Sequence, residues 1–146
     1  MDSQMIANCV AAFAQQAGMP FFQLDNNNSA AALLGDGIRF ELEYLEKDQR
    51  IFMFGDVAPA TESELGRTLE RNVGLMARTG LALGLCSLQG QSHLILMASL
   101  PVRDLTPEKL GETATILIET IRALRGGNAL TSPSPAASDS GLWMTV

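Results

Sequence analysis

Positive charge is scarce in this chain, and where it occurs it is scattered. Ten lysines and arginines stand against sixteen aspartates and glutamates, which gives a formal net charge of -6 at pH 7. Aromatic residues make up only 5% of the chain. Proteins that bind nucleic acid or an anionic membrane need grouped lysines and arginines to displace counterions. The composition therefore argues against nucleic acid and anionic membranes as the main partners.

Residues that bind metals or act as nucleophiles are equally few. The single histidine, His93, and two distant cysteines, Cys9 and Cys86, do not make up a zinc site. Cys86 and His93 fall on neighbouring strands of a predicted hairpin. A three-residue loop at 89–91 would place them on opposite faces, and a two-residue turn at 90–91 on the same face. No third residue is evident to orient the histidine, so we expect no catalytic site, no metal and no cofactor.

Long apolar segments are absent too. No stretch approaches the roughly 20 apolar residues of a membrane-spanning helix, and the first residues lack the basic segment and apolar run of a secretion signal. We therefore expect a cytoplasmic protein without membrane insertion. In that compartment we expect Cys9 and Cys86 to be small buried thiols rather than a disulfide.

The most informative stretch is 37–57, which predicts two strands and the turn between them. Apolar residues alternate with charged ones through 38–44, as expected of a strand with one buried and one wet face. The return strand at 50–54 has apolar residues on both of its faces. Both faces therefore need cover, and the second cover must be a helix, another subunit or a bound partner.

Three helices and three further strands complete the predicted order. Three segments carry apolar residues at helical spacing, with capping residues before them and glycine after them: 3–17, 61–79 and 106–125. The expected N-cap is Asp2 or Ser3 for the first helix and Thr106 for the third. A short strand is expected at 30–34, and strands at 81–88 and 92–100 form a hairpin with uncharged faces. The sequence thus predicts an α+β fold in the order α-β-β-β-α-β-β-α. Its twisted antiparallel sheet packs against three helices.

The length favours one domain followed by a tail. A chain of 146 residues is long enough for one core but short for two. We place the domain at 1–127 and expect 128–146 to be disordered, because Ser, Pro, Ala, Gly and Thr dominate there. An apolar segment, Leu142-Trp143-Met144, interrupts this composition. It is either a docking segment or an incidental tail end.

The order of elements, the length and the acidity together resemble the class I chaperones of bacterial type III secretion, the Tir-chaperone (CesT-type) family. The resemblance covers about 1–125. Its most telling part is FFQLDNNNSAAALLGDGIRFELEYLEKDQRIFMFGDV, in which an apolar strand, a D-G turn, a strand ending in acidic residues and an apolar return strand follow the family's pattern. ESELGRTLERNVGLMARTGLALGL, which passes from the second helix straight into a Leu/Gly strand, is also similar.

The resemblance implies a cytoplasmic homodimer without ATPase activity that takes part in virulence. Such a chaperone binds the N-terminal segment of a secreted effector in extended form and keeps it soluble and competent for secretion. The resemblance also implies contact with the secretion ATPase or another part of the export apparatus. A dimeric protein-binding adaptor of similar fold, unconnected with secretion, fits the sequence as well, because nothing in the chain identifies the partner.

The resemblance implies two sets of site residues. In the family the second helix and a neighbouring strand build the dimer interface, which implies Leu65, Leu69, Val73, Met76, Leu81 and Leu83 here. Apolar patches on the first helix and first three strands take effector side chains, which implies some of Phe13, Leu24, Leu33, Phe40, Phe52 and Phe54. Gly66 and Gly74 weaken the second helix, so they are either tolerated or kept where another backbone packs closely.

Overall fold

The computed structural model describes residues 2–60 and 64–126, and its elements follow the predicted order. The helices are α1 (Ser3–Gln16), α2 (Glu64–Thr79) and α3 (Pro107–Arg125). The strands are β1 (Ser29–Leu33), β2 (Arg39–Leu45), β3 (Arg50–Pro59), β4 (Ala82–Leu88) and β5 (Gln91–Pro101). A short 3₁₀ helix, Val102–Asp104, links β5 to α3. The predicted α+β class and element order are confirmed.

Side chains cap the beginnings of helices, and glycine follows the end of α2, largely as the sequence predicts. The Asp2 carboxylate caps α1 by accepting from the Met5 N–H at 2.8 Å, and the Thr106 hydroxyl caps α3 by accepting from the Lys109 N–H at 3.0 Å. Gly80 follows α2 with a φ of 73°, which a residue without a Cβ adopts freely. The predicted cap of α2 at 61–63 and the tail at 128–146 lie outside the described residues.

The five strands form one antiparallel sheet in the order β1-β2-β3-β5-β4. The uncharged faces of the second hairpin would suit two interior strands or two strands covered from outside the chain. β5 is interior, whereas β4 lies at an edge of the sheet. The turn between them is Gln89–Gly90, with φ values of 52° and 79°. A two-residue turn with two positive φ values matches the right-handed twist of the strands. Both turns considered from the sequence, 89–91 and 90–91, were therefore wrong.

One face of the sheet packs against α1 and α3 and forms the core. Phe13 from α1 lies edge-on to Phe22, which stacks on Phe40 of β2, with ring centroids 6.1 and 5.6 Å apart. At Gly55 of β3 an added Cβ would overlap the side chain of Ile121, so α3 approaches the sheet closely because that strand position has no side chain.

The opposite face of the sheet is here called the outer face, and the pairing of the strands shows which residues lie on it. One row of directly paired residues crosses all five strands: Ala31, Glu41, Phe54, Met97 and Ala82. Leu33 and Phe52 share this face because they lie two residues from members of that row. A charged strip on β2 thus separates an apolar area on β1 from a second one on β3 and β5.

α2 lies along the β4 edge rather than over the middle of the sheet. The Asn72 side chain binds the backbone of Leu83 twice, donating to its carbonyl at 2.9 Å and accepting from its N–H at 2.5 Å. Leu75 and Thr68 are buried on the same side of the helix. The orientation of α2 therefore follows from Asn72, Leu75 and Thr68, and its most apolar stripe faces away from the sheet.

Candidate protein-binding surfaces

The outward stripe of α2 is the most exposed apolar surface on a helix in the described part of the chain. Leu69, Val73 and Met76 are 62%, 77% and 56% exposed. They follow one another at spacings of four and three, so they form a continuous stripe. Contiguous apolar side chains on a protein surface mark a site of association.

The other residues expected at the dimer interface are placed differently. Leu81 and Leu83 are buried in the core of their own chain. The side chain of Leu65 lies outside the described residues. Leu85 on β4 is half exposed and was missed, although it continues the alternation of Leu81 and Leu83. Exposed apolar side chains therefore lie on both α2 and β4.

Gly66 and Gly74 are not required by packing within this chain. An added Cβ at Gly66 meets nothing within 4 Å, and at Gly74 it meets only the Arg78 side chain, at 3.5 Å. No described backbone approaches either glycine closely.

The residues expected to bind an effector fall into two groups. Phe13 and Phe40 are sealed inside the core, and Leu24 is half-buried against it. A partner cannot reach Phe13 or Phe40 in this conformation. Leu33 is 53% exposed, and Phe52 and Phe54 are half-buried. These three share the outer face, so the structure brings together half of the expected set.

Sequence reasoning missed the contribution of β5 to the outer face. Met97 stands directly opposite Phe54, and Ile95 lies two residues further along the strand on the same face. The sequence did carry a sign of this contribution. β5 has apolar residues on both faces, whereas a strand with one face in water has polar residues on that face. Phe52, Phe54 and Met97 are here called the β3–β5 patch.

Charges on the outer face are partly paired. The Arg39 guanidinium lies 3.2 Å from the Glu41 carboxylate along β2.

A second ion pair joins the turn before β2 to α3. Arg122 of α3 donates to the Asp36 carboxylate at 2.6 Å. Burial would raise the pKa of Asp36, but the hydrogen bond and charge of Arg122 outweigh it and lower that pKa. The pair ties the β1–β2 turn to α3.

A small groove lies at the β1 edge of the sheet. It has a volume of about 210 Å³ and is lined by Ala31, Ala32, Leu33 and Arg39. β1 is the outermost strand, so its free side can accept another strand. The groove places an apolar recess beside backbone groups that are available for pairing.

Cys86 and His93 come together, contrary to one of the two alternatives. They are direct partners across β4 and β5 and therefore share the outer face. His93 Nδ1 lies 3.0 Å from an Asp56 carboxylate oxygen, which supplies the orienting residue that the sequence did not reveal. The Cys86 thiol, however, hydrogen-bonds to the Ser87 carbonyl at 3.8 Å. A nucleophile requires a base within hydrogen-bond reach, and no such thiol–imidazole bond is formed in the described part of the chain.

The cysteines and the acidic residues form no evident metal site. Both Cys9 and Cys86 are free thiols, as expected, but they are only partly buried, so the expectation of buried thiols was wrong. Burial, followed by the nearby charge of Glu108, raises the pKa of the Cys9 thiol. Across residues 2–60 and 64–126 no three His, Cys, Asp or Glu side chains group to hold a metal. No helix in these ranges is long and apolar enough to span a membrane.

Three solved structures share this architecture. The ExsC–ExsE complex has a TM-score of 0.75 at 22% identity, covering 86% of this chain and 96% of that one. The HopA1–SchA chaperone–effector complex has a TM-score of 0.72 at 17% identity, covering 86% and 98%. The Yersinia pestis type III secretion chaperone SycH, in complex with a stable fragment of YscM2, has a TM-score of 0.62 at 17% identity, covering 81% and 98%. At these identities the likeness shows the fold.

The fold and surfaces define a small α+β protein that buries one sheet face internally and leaves apolar side chains of the other face, and of α2, at least partly exposed. Residues 8–125 match the model of the Tir chaperone protein (CesT) family, so the chain belongs to that family and the resemblance is confirmed. No curated protein sequence matches it. Chaperones of this family are not enzymes, and membership supports a role as a type III secretion chaperone.

Proposed function

We propose that this protein is a cytoplasmic, homodimeric chaperone that binds the N-terminal segment of a type III secreted effector in extended form. In that state the effector stays soluble and ready for transfer to the secretion ATPase or another part of the export apparatus. The family match over residues 8–125 carries the proposal. A chaperone–effector complex among the structures with this fold supports it.

The proposed client site combines the β1 edge with the outer face beside it. An extended client segment would pair its backbone with β1, as peptides do when they add a strand to an open sheet edge. An apolar client side chain would enter the groove at Leu33. Side chains of an extended chain alternate between two sides, so a bound strand presents every second residue to this surface. Phe52 and Phe54 extend the apolar surface beyond β2.

The proposed homodimer uses the outward stripe of α2 and the adjoining end of β4. Leu69, Val73 and Met76 would lose contact with water on association, and burying large apolar side chains stabilises a complex by roughly 1.5–3 kcal/mol each before opposing costs. The stripe lies at the opposite edge of the sheet from β1. Dimerisation through α2 therefore leaves the proposed client site of each copy accessible.

The test is capture of the client from the native bacterium with the tagged full-length protein, followed by mass spectrometry. We expect one larger protein, held through its N-terminal segment, which N-terminal fragments of that protein should reproduce. Capture of a folded domain, or of no protein, would contradict the proposal and favour an adaptor of the same fold.

Two matched variants locate the binding site. Leu33→Ser should weaken client binding by about 1–3 kcal/mol, because it removes an apolar side chain from the centre of the proposed site. Met5→Ser on α1 is the control, since Met5 and Leu33 are both 53% exposed and only Leu33 lies on the outer face. Isothermal titration calorimetry with the client fragment measures both. Equal weakening by the two substitutions would move the site away from β1.

A further inference from the structure

The β3–β5 patch is an apolar area close to the point where the chain leaves the described domain. Phe54 and Met97 are direct partners across β3 and β5, and Phe52 lies two residues along β3 on the same face. Gly84 of β4 contributes no side chain, and the Met97 methyl group lies where its Cβ would be, so Met97 extends the apolar surface over β4. Such a surface can pack against a large, flat apolar side chain.

The C-terminal end of α3 is fixed beside the same part of β3. The Arg125 guanidinium donates to the Val57 carbonyl at 3.1 Å and to the Asp56 carbonyl at 2.8 Å. β2 pairs with β3 only as far as Gly55, so this end of β3 has no strand on its β2 side within the described residues. The last described residues of α3 therefore lie beside an end of β3 that is open on its β2 side.

Residues 127–146 contain one apolar segment of suitable chemistry. Leu142-Trp143-Met144 supplies an indole ring flanked by two long apolar side chains. Fifteen residues lie between Gly126 and Leu142, and the sixteen steps that join them reach up to roughly 53 Å when the chain is extended. Phe54 lies only about 7 Å along β3 from Asp56, given the rise of a strand. The segment reaches the patch easily.

We propose that Leu142-Trp143-Met144 docks on the β3–β5 patch of its own chain. Trp143 packs on Phe54 and Met97, in the aromatic and sulfur–aromatic contacts that such side chains form. The tether raises the local concentration of the segment to the millimolar range, so weak contacts suffice to keep it bound. A client that needs Phe52 and Phe54 must displace it. That competition rests on the proposed function, whereas the docking does not.

The test uses Trp143 itself, which is the single tryptophan of the chain. Tryptophan emission and acrylamide quenching are measured on the full chain without any client. We expect a blue-shifted emission maximum and a quenching constant several-fold lower than that of N-acetyl-tryptophanamide. Both values should stay constant on dilution, because the contact is within one chain. Emission equal to the free compound, or protection that falls on dilution, overturns the proposal.

Substitutions on the sheet identify the docking site. Phe54→Ser and Met97→Ser should both return the quenching constant to the value of the free compound, with folding followed by circular dichroism. Leu33→Ser, across the charged strip, and Leu69→Ser, on α2, are the controls and should leave it unchanged. Loss of protection in Leu69→Ser alone would place the segment on α2 and overturn the proposal.

A second measurement needs no change in the folded domain. Trp143→Ser alters only the tail, and an indole ring on Met97 shifts the methyl resonance of that residue. We expect the Met97 methyl signal to move when Trp143 is replaced by serine, and the methyl signal of Met5 to stay in place. An unmoved Met97 signal overturns the proposal even if the substitutions on the sheet unfold the protein. Since no client is present, its failure leaves the proposed function untouched.

Discussion

Two carboxylates near Arg122 show how single side chains set the pH dependence of this protein. Glu119 on α3 has a buried oxygen, Oε1, with no hydrogen-bond partner among the described residues. Burial raises the pKa of Glu119, and the nearby Arg122 only partly offsets this. Folding therefore disfavours the charged form of Glu119. The resulting loss of stability is absent below the unfolded pKa and develops as the pH rises through the folded pKa.

Glu119→Gln should raise the Tm at pH 7. The gain in unfolding free energy should be less than about 1 kcal/mol, because the side chain is partly exposed. The gain should disappear near about pH 3, where both states carry the proton. Scanning calorimetry at the two pH values measures it. Asp36→Asn is the control of opposite sign: the pKa of Asp36 is lowered, so its stabilisation is present at pH 7 and is lost as the pH falls. A lower Tm for Glu119→Gln at pH 7 contradicts the expectation.

Residues with a local role were predicted best from the sequence. The caps at Asp2 and Thr106 depend on a side chain and a backbone group three residues away, which the sequence displays directly. Phe13 and Phe40 were expected on a binding patch but lie in the core. Periodicity shows which residues share a face, and only the packing of distant elements decides whether that face is open.

The contact between α3 and β3 depends on the absence of a side chain at one position. Gly55→Ala should destabilise the protein by about 1–3 kcal/mol, because the added methyl overlaps Ile121 in the core. Gly111→Ala on α3 is the matched control, since its added methyl meets nothing within 4 Å. It should stabilise the protein by roughly 0.5–1 kcal/mol through higher helix propensity. Urea unfolding of both variants measures the difference, and equal effects would contradict the close packing.

The helices and strands were predicted in the correct order. The side of α2 that meets the sheet and the turn of the second hairpin were not. The apolar stripe of α2 was visible in the sequence, yet Asn72 and Leu75 on its other side turn out to hold the helix on the sheet. A spacing of three and four does not tell which partner a helix face meets. The turn of the second hairpin begins at Gln89, which has a positive φ. A non-glycine residue seldom adopts this conformation, so the sequence does not indicate that the turn begins there.

For the molecule as a whole, the exposed stripe of α2 predicts a dimer in solution. Leu69→Asp should split it into monomers at micromolar concentration, because an unpaired charge would be buried at the interface. Leu33→Asp is the control, an equally drastic change of an exposed leucine on the opposite edge of the sheet, and should keep the dimer mass. Light scattering gives both masses. A monomeric wild-type protein, or an unchanged mass for Leu69→Asp, would move or remove the interface.

The two edges of the sheet also differ in what they allow at high concentration. Asn72 occupies the outward N–H and C=O of Leu83, so a foreign strand cannot run unbroken along β4, whereas β1 is the sheet's other edge. A fibre grows only if each molecule accepts a neighbour on both sides. A single copy accepts a strand along β1 but not in an unbroken run along β4, so pairing between single copies closes at two, whereas the proposed α2 dimer presents two open β1 edges. One amide on α2 thus confines stray strand pairing to β1.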